Sequence, residues 1–473
     1  MKTLPIEITL KMKKSLLFIV FGLIFHFVFA QQKDDRQLTA GFDRILSEQY
    51  KSNESGATVL VARRGQIIYK KALGMANLEY SIPMQLDNVF RIGSITKQFT
   101  AVAILQLIEQ GKMNLEDEIT KFIPDYPTHG YKITIEHLLT HTSGIKDLTE
   151  IKEFRKIIAR DFAPIEVISY FKDQPMDFAP GTQYKYNNSG YFLLGYIIEK
   201  VSGKTYPQYV VDNFFKVLNM SNSLYGSDTK IIKNRADGYV TDSTGLINSR
   251  WGTGPQPYSA GSLMSTVEDL FKWHQAIHSY RLVKKEGLDK AFTKYRLKDS
   301  TEVNYGFGWR LLYIQDSYTI EHEGLVPGFR TRSIYLPQED VFVAVFSNCS
   351  CTDPNISAVK IAALTIGKPY GFKEIAMDEG VWLGYAGVYK NKKNDTRFIT
   401  IAENQLYLQT SGSAKNKLKA YQKDKFFFED MMTTIDFIRN EKSEIVKLII
   451  KGRQGNEVWD KTDKPIPAES KKN

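Results

Sequence analysis

The chain has 473 residues, of which 42% are hydrophobic and 25% are charged, and its formal net charge is +10. This composition is typical of a globular protein, and the length allows two or three domains, each with a buried core. Lysines and arginines are scattered among acidic residues instead of forming a run, which argues against nucleic-acid binding.

The N-terminus has the pattern of an export signal. Lys11, Lys13 and Lys14 precede the apolar run "SLLFIVFGLIFHFVFA", which ends at Ala30 before polar residues. The run is shorter than the roughly 20 residues that a membrane-spanning helix needs, so we expect a signal peptide over residues 1–30, with Met1 or Met12 as the start. The mature chain is then predicted to be periplasmic or secreted, without a transmembrane anchor.

The first long region alternates strand-like and helix-like patterns. The predicted elements, in chain order, are a hairpin over 56–77 turning at Arg64-Gly65, helices over 95–110, 190–203 and 266–280, and strands over 306–315, 330–337 and 341–348. Strands at both ends with helices between them predict an α+β fold, in which the N-terminal hairpin and a C-terminal meander share one antiparallel sheet flanked by helices.

The pattern changes near Gly367, where a linker-like stretch leads into short strands and polar turns. We therefore predict a catalytic domain over 31–367, a linker over 368–380, a small antiparallel barrel or sandwich over 381–460 and a disordered tail over 461–473. The cysteines are Cys349 and Cys351. Two residues apart at a strand end, they are expected to be poorly placed for a disulfide.

A Ser-x-x-Lys pattern occurs five times, led by Ser94, Ser143, Ser169, Ser227 and Ser357. Ser94 differs from the others because it precedes a helix that is apolar on nearly every face. A buried helix start offers amide groups to an oxyanion and removes water from the amine of Lys97. A lysine becomes a useful base when it is desolvated, so we predict that Ser94 is a nucleophile and Lys97 its base.

Two further motifs are weaker on their own. Tyr186 and Asn188 form a Tyr-x-Asn ahead of a helix, where the ordinary interpretation is a half-buried aromatic residue and a helix cap; the pattern recurs at Tyr389 and Asn391. His322 and Gly324 are expected between two strands. A lone histidine is more often structural, but one beside a glycine that admits a close substrate backbone is a candidate hydrogen-bond donor.

The order Ser-x-x-Lys, Tyr-x-Asn, His-x-Gly resembles that of the serine β-lactamase and penicillin-binding-protein superfamily, particularly its branch of class C β-lactamases, D-alanyl-D-alanine carboxypeptidases and esterases. Longer stretches carry the same resemblance: "LLTHTSGI" (138–145), "PGTQYKYNNSGYFLLGYIIEKVSG" (180–203), "YSAGSLMSTVEDLFKW" (258–273), "YGFGW" (305–309) and "HEGLVPGF" (322–329). The resemblance implies a β-lactamase/transpeptidase-like fold, and the C-terminal region resembles the lipocalin-like domain of some members.

The resemblance also implies residue roles. Ser94 would carry the acyl group, Lys97 and Tyr186 would share its proton, and Asn188 would hold Lys97 or the substrate amide. The backbone amides of Ser94 and Leu325, the latter next to Gly324, would form an oxyanion hole, and no metal or organic cofactor is implied. His141, in "LTHTSG", would stabilise a turn.

One motif departs from the penicillin-recognising pattern. Lys-Thr-Gly is replaced by His322-Glu323-Gly324, which exchanges a permanent charge for a histidine that is mostly neutral at pH 7. This departure favours esters, amides or D-amino-acid peptides, with peptidoglycan-derived peptides among the candidates, over β-lactams. His322 is then expected to donate a hydrogen bond to the tetrahedral intermediate or to Tyr186. The alternative is a catalytically weak binding or scaffold protein of the cell envelope.

Overall fold

A computed structural model describes residues 36–157, 162–249, 257–377, 379–403, 405–410, 415–428 and 432–466. The predicted signal peptide, residues 1–30, lies outside this part of the chain. Within the ranges given, no helix has both the length and the apolar character needed to cross a membrane.

The larger domain is an antiparallel sheet with helices packed on it. Its helices are α1 (36–49), α2 (Thr96–Glu109), α3 (Ile135–Leu139), α4 (Lys152–Ile157), α5 (Pro164–Phe171), α6 (Asn188–Ser202), α7 (Tyr206–Val210), α8 (Val267–His278), α9 (Lys285–Ala291) and α10 (Pro354–Thr365). Its strands are β1 (Ala57–Arg63), β2 (Gln66–Leu73), β3 (Met75–Asn77), β4 (Ile82–Pro83), β5 (Phe90–Arg91), β6 (Leu224–Tyr225), β7 (Tyr239–Asp242), β8 (Gly245–Asn248), β9 (Leu263–Ser265), β10 (Tyr295–Arg296), β11 (Glu302–Val303), β12 (Arg310–Ile314), β13 (Ser317–Val326), β14 (Phe329–Leu336) and β15 (Val341–Ser347).

The central sheet has the strand order β12-β13-β14-β15-β1-β2. The N-terminal hairpin therefore pairs with the C-terminal meander through β1 and β15, as the sequence predicts. The hairpin turns at Arg64 and Gly65, both with positive φ, a conformation that matches the twist of the two strands. Apolar side chains on both faces of the sheet are buried, one face against α1 and α10 and the other against the helical layer.

The second domain is a closed barrel. Its strands are β16 (Gly387–Lys390), β17 (Thr396–Ala402), β18 (Gln405–Thr410), β19 (Asn416–Gln422), β20 (Lys425–Phe427), β21 (Thr434–Arg439), β22 (Ile445–Gly452) and β23 (Gly455–Thr462). β16 also pairs with β23, which closes the ring and removes both sheet edges. The small all-β domain is thus confirmed, although β23 extends into the region predicted as a disordered tail; residues 467–473 lie outside the described part.

Two local predictions are wrong. Cys349 and Cys351 are joined by a disulfide across a Cα–Cα distance of 5.1 Å. Beyond β15 the chain bends around Tyr239, whose amide donates to the Asn348 carbonyl and whose carbonyl accepts from Ser350, and this bend brings the two thiols together. His322 and Gly324, expected between strands, lie inside β13, because the strand continues through the glycine to Val326.

Candidate active site

Two glycines bring the start of α2 against β13. Ser94 lies in a 3-10 turn, Gly93–Ile95, directly before the helix. Gly93 has a φ of +52°, and a Cβ there would lie 2.9 Å from the Leu325 amide nitrogen. A Cβ on Gly324 would lie 2.0 Å from the Ile92 carbonyl oxygen. Side chains at these two positions would push the segments apart, so the glycines permit the close approach of the backbone at Ser94 and at Leu325.

Lys97 lies one turn beyond Ser94 and is fully buried. Its Nζ donates to Ser94 Oγ at 3.1 Å, to Asn188 Oδ1 at 2.9 Å and to the Ala260 carbonyl at 2.9 Å. Burial lowers the pKa of this amine to about 7, against the opposing effect of the Asp147 carboxylate. A substantial fraction of Lys97 is then neutral near pH 7 and able to accept a proton.

Burial separates Lys97 from the lysines of the other four Ser-x-x-Lys patterns. Those lysines are all partly or fully exposed: Lys146, Lys172, Lys230 and Lys360. An exposed lysine keeps its ammonium hydrated and is a poor base near neutral pH. The sequence predicts that Ser94 differs from the other four serines because it precedes a buried helix. The burial of Lys97 agrees with that prediction.

Asn188 is fixed by a carboxylate that the sequence reasoning missed. Its backbone amide and its side-chain Nδ2 both donate to Asp147 Oδ2, the latter at 3.2 Å, while its Oδ1 accepts from Lys97. Asp147 thereby sets the orientation of the amide group. The helix cap itself is the preceding residue, Asn187, whose side chain accepts from the Gly190 amide. Asp147 lies two residues after "LLTHTSGI" (138–145). An acidic residue so close to that motif is the sequence feature from which its role could have been predicted.

Tyr186 approaches Lys97 with its ring. The Lys97 ammonium nitrogen lies 4.8 Å from the ring centroid, so the expected contact of this pair is present. Burial raises the pKa of the Tyr186 phenol well above its usual 10, and the Ser94 hydroxyl opposes this shift. The phenol has no hydrogen bond of normal geometry within the described residues. It is therefore protonated near pH 7 and faces Ser94 as a neutral hydroxyl.

The rings of His141, Tyr305 and His322 surround Tyr186 with centroid separations of 4.3, 6.1 and 6.1 Å. His141 Nδ1 also accepts from the Asn187 amide at 3.0 Å, which ties the "LTHTSG" turn to the start of α6. These contacts hold the Tyr186 ring in place, and they give His141 a positioning role beside the turn-stabilising role expected for it.

His322 does not face the cavity. Its Nε2 is 3.0 Å from the Tyr305 hydroxyl and its Nδ1 is 2.6 Å from the Glu323 carbonyl oxygen. Burial lowers its pKa to about 3, which keeps the ring neutral. The placement does not support the expected hydrogen bond to the tetrahedral intermediate, because alternation along β13 directs the next residue, Glu323, into the cavity. The expected proximity of His322 to Tyr186 is observed as a ring contact.

Glu323 belongs to a group of charged residues that the sequence did not reveal. Arg310 Nε donates to both of its carboxylate oxygens, at 2.8 and 2.9 Å, and Arg332 Nη1 donates to Oε2 at 2.8 Å. Arg310 also lies over the Tyr186 ring, 5.3 Å from its centroid. Glu323 lies within "HEGLVPGF" and Arg310 directly follows "YGFGW", but neither motif indicates that these charges pair, because the pairing depends on strand register.

The site opens into a cavity of about 720 Å³. Ser94, Tyr186 and Asn188 line it together with Gly324 and Leu325, of which Leu325 is 58% exposed. Its walls include the charged residues Arg310, Glu323 and Arg332, and the barrel residues Arg453 and Gln454. A hydroxyl hydrogen-bonded to a partly neutral amine at the base of a cleft is an arrangement suited to nucleophilic attack on a carbonyl.

The fold and site define a Ser-x-x-Lys class of active site, and comparison with known proteins places the chain within a family. The family model described as Beta-lactamase matches residues 42–364, and the chain belongs to this family, within the serine β-lactamase and penicillin-binding-protein superfamily. Penicillin-binding protein 4* of Bacillus subtilis (strain 168) is 27% identical over 428 residues, which cover 84% of this chain and 92% of that protein.

Solved structures share both domains or the larger one. The octameric penicillin-binding protein homologue from Pyrococcus abyssi is 26% identical with a TM-score of 0.62, and the match covers 89% of this chain and 99% of that one. The penicillin-binding protein from Bacillus halodurans is 28% identical with a TM-score of 0.60 over 70% of this chain and 98% of its own. The D-amino acid amidase from Ochrobactrum anthropi SV3, 21% identical with a TM-score of 0.62 over 70% of this chain and 99% of its own, shares the fold.

Proposed function

We propose that the protein is an exported serine hydrolase that forms an acyl-enzyme with esters, amides or D-amino-acid peptides. The observation that carries this proposal is the buried Lys97 amine within hydrogen-bonding distance of Ser94 Oγ. Burial lowers the pKa of this amine to about 7 beside a serine hydroxyl, and a binding or scaffold protein has no use for a base at that position.

The first half of the proposed reaction forms the acyl-enzyme. Ser94 Oγ attacks the substrate carbonyl carbon while its proton passes to neutral Lys97, directly or through the phenol of Tyr186. The backbone amides of Ser94 and Leu325 stabilise the oxyanion, as the close approach of the two segments supports. The bond to the leaving alcohol or amine then breaks, and the proton held by Lys97 or Tyr186 goes to that leaving group.

The second half releases the acyl group. Water attacks the ester carbonyl of the acyl-enzyme and gives up a proton to the same amine. Collapse of the second tetrahedral intermediate breaks the bond to Ser94 Oγ, which regains its proton, and a carboxylic acid leaves. Burial lowers the pKa of Lys97 to about 7, so much of the amine is neutral near pH 7 and can accept a proton. Burial raises the pKa of Tyr186, so its phenol stays protonated. Lys97 is therefore the stronger candidate for the base.

The substrate class within this proposal rests on two observations. The neutral, inward-facing His322 offers no charge to a β-lactam carboxylate, and D-amino acid amidases share the fold. We therefore expect short-chain p-nitrophenyl esters and D-alanyl peptides to be hydrolysed better than nitrocefin. The N-terminal pattern supports export to the periplasm or the medium. The mass of the mature protein would show whether residues 1–30 are removed.

Covalent labelling tests the proposed chemistry. The intact protein should acquire one fluorophosphonate or fluorescent-penicillin label, and peptide mapping should place it on Ser94. A folded protein that acquires no label and hydrolyses no member of a panel of p-nitrophenyl esters, nitrocefin and D-alanyl peptides would leave the binding or scaffold alternative.

A further inference from the structure

The turn between β22 and β23 carries part of the barrel into the active-site cavity. Arg453 and Gln454 occupy this turn and line the cavity. The Tyr313 amide on β12 donates to the Arg453 carbonyl at 2.9 Å, and Arg453 Nη1 donates to the Tyr313 carbonyl at 2.6 Å. Asn304 Nδ2 donates to the Gln454 carbonyl at 3.1 Å. The turn is therefore bonded to the larger domain at both of its residues, to the edge strand β12 through Arg453 and to the segment between β11 and β12 through Gln454.

Arg453 ends a chain of alternating charges that starts beside Tyr186. Arg310 pairs with Glu323, Glu323 with Arg332 at 2.8 Å, and Arg332 with Glu321 at 2.7 Å. Glu321 is fully buried, and its other oxygen accepts from Arg453 Nη2. The side chain of Arg453 is 16% exposed. A single run of contacts thus links a barrel residue to the carboxylate that faces the cavity.

This series of five paired side chains has a net positive charge, because the barrel supplies its third arginine. Its three arginines oppose two carboxylates, and the neighbouring arginines hold the pKa of both Glu321 and Glu323 below the usual value, so both are ionised. The remaining charged pair of the cavity wall, Arg330 and Asp353, contributes no net charge. Without Arg453 the chain of five would be neutral.

We propose that Arg453 is a specificity-determining residue, through which the barrel gives the cavity a net positive wall that selects substrates bearing a carboxylate. The inference rests on the hydrolase function proposed above and deepens it. The positive charge lies in the cavity wall and not at the position of His322, so it favours carboxylates that reach this wall and leaves the expectation for nitrocefin unchanged. Arg453 acts by its field and through Glu321, since its guanidinium is already bonded to protein oxygens.

The test compares ester pairs that differ by one carboxylate. The probes are p-nitrophenyl butyrate against mono-p-nitrophenyl succinate, where the acyl group carries the charge, and phenyl acetate against 3-carboxyphenyl acetate, where the leaving group does. We expect the native protein to favour the charged member of at least one pair in kcat/KM by about tenfold, a ratio typical of one charge at several ångströms in a partly solvated cleft.

A set of variants changes the net charge of the five paired side chains in steps. Arg453→Ala makes it neutral and should bring the preference close to one, whereas Arg453→Lys should retain it. Glu321→Gln raises the net charge to two and should increase the preference. The double variant Glu321→Gln/Arg453→Ala restores the native net charge without a buried carboxylate, so it should recover the native preference even where Arg453→Ala alone fails to fold. Lys451→Ala removes an equal charge from β22, where Lys451 pairs with Asp436 inside the barrel domain, and should change nothing.

The outcomes separate this inference from the function beneath it. Equal kcat/KM within both pairs, or a preference that does not follow the order Arg453→Ala, native, Glu321→Gln, overturns the role of Arg453. Labelling of Ser94 and hydrolysis of the neutral esters would meanwhile leave the proposed hydrolase standing. A native protein that neither labels nor hydrolyses any ester removes both proposals.

Discussion

The catalytic cleft and the barrel treat polar groups in opposite ways. The barrel buries an apolar and aromatic cluster, and an ion pair such as Arg439 with Asp424 keeps both partners partly exposed. The larger domain instead buries an amine and a carboxylate completely: Lys97 at the cleft and Glu321 behind it. The barrel is thus built for stability, while the larger domain holds a desolvated amine beside Ser94, where its lowered pKa lets it accept a proton near pH 7.

The two regions meet at the barrel turn of Arg453 and Gln454, which lines the cavity. There Arg453, a barrel residue, bonds to the buried Glu321 of the larger domain. Four experiments test the division, beginning with the substitution expected to have the largest effect.

Ser94→Ala should lower kcat/KM for p-nitrophenyl esters by about 10³-fold or more, since the nucleophile is lost. Stability should change by no more than about 1 kcal/mol, because the Ser94 side chain caps neither the 3-10 turn nor α2. Labelling assays and thermal unfolding measure the two effects. Ser169→Ala, at an exposed Ser-x-x-Lys, is the matched control. Labelling that persists in Ser94→Ala would place the nucleophile elsewhere.

The pH dependence of kcat/KM examines the buried amine. Lys97 must be neutral to accept a proton and its pKa is lowered to about 7, so activity should rise with pH through about 7 and level off above it. At pH 5 the rate should be about a hundredfold below the plateau. A profile already flat from pH 5 upward would show that Lys97 is not the base in the free enzyme.

Deletion of residues 381–473 separates the two regions. The central sheet is complete without the barrel, so the truncated chain should still be labelled on Ser94. It should nevertheless lose about 3 kcal/mol of stability, because removal of Arg453 leaves Glu321 with one of its two arginine partners. Urea unfolding measures the loss.

Glu321→Gln in the truncated chain is the matched variant, and it should recover part of that stability. A truncated chain with the same free energy of unfolding as the larger domain of the full-length protein would show that the barrel turn does not stabilise Glu321. Loss of both solubility and labelling in the truncated chain and in its Gln variant would contradict the two-domain division.

The smallest expected effect concerns the helical layer. Burial lowers the pKa of His278 to about 4, and the ring packs on Tyr335 with a centroid distance of 4.1 Å. The unfolded chain takes up this proton below about pH 6.5 and the folded one does not. The stability that neutral His278 contributes is therefore present above 6.5 and is lost as the pH falls toward 4, at up to about 1.4 kcal/mol per pH unit.

His278→Phe should keep the ring contacts and remove this part of the acid sensitivity, which urea midpoints at pH 7.5 and 5.0 would measure. The exposed His129→Asn is the control and should leave the difference between the two pH values unchanged. An equal acid sensitivity in native protein and His278→Phe would show that this histidine does not contribute.

Much of the fold could be predicted from local patterns. Helix α2 was expected over 95–110 and spans Thr96–Glu109, and α8 begins after the predicted cap at Thr266. Tyr389, from the second Tyr-x-Asn, packs in the barrel core and donates to the Tyr385 carbonyl, so the same pattern occurs here in a structural role. The prediction for His322 failed because His322 and Gly324 were expected between two strands, whereas β13 runs through both, and alternation along a strand directs successive side chains to opposite faces.

The sequence alone determined which serine and lysine could act together. Residues three apart across a helix start share one side because the local backbone geometry fixes their separation, so Ser94 and Lys97 needed no distant contact to be placed. The burial that tunes Lys97, the face that His322 presents, and the link from Glu323 to Arg453 were decided by the tertiary structure. The burial of Lys97 and the link to Arg453 depend on segments more than 90 residues apart in the chain. The face of His322 depends on the register of β13 with its neighbouring strands. Packing and strand register are not encoded by local spacing.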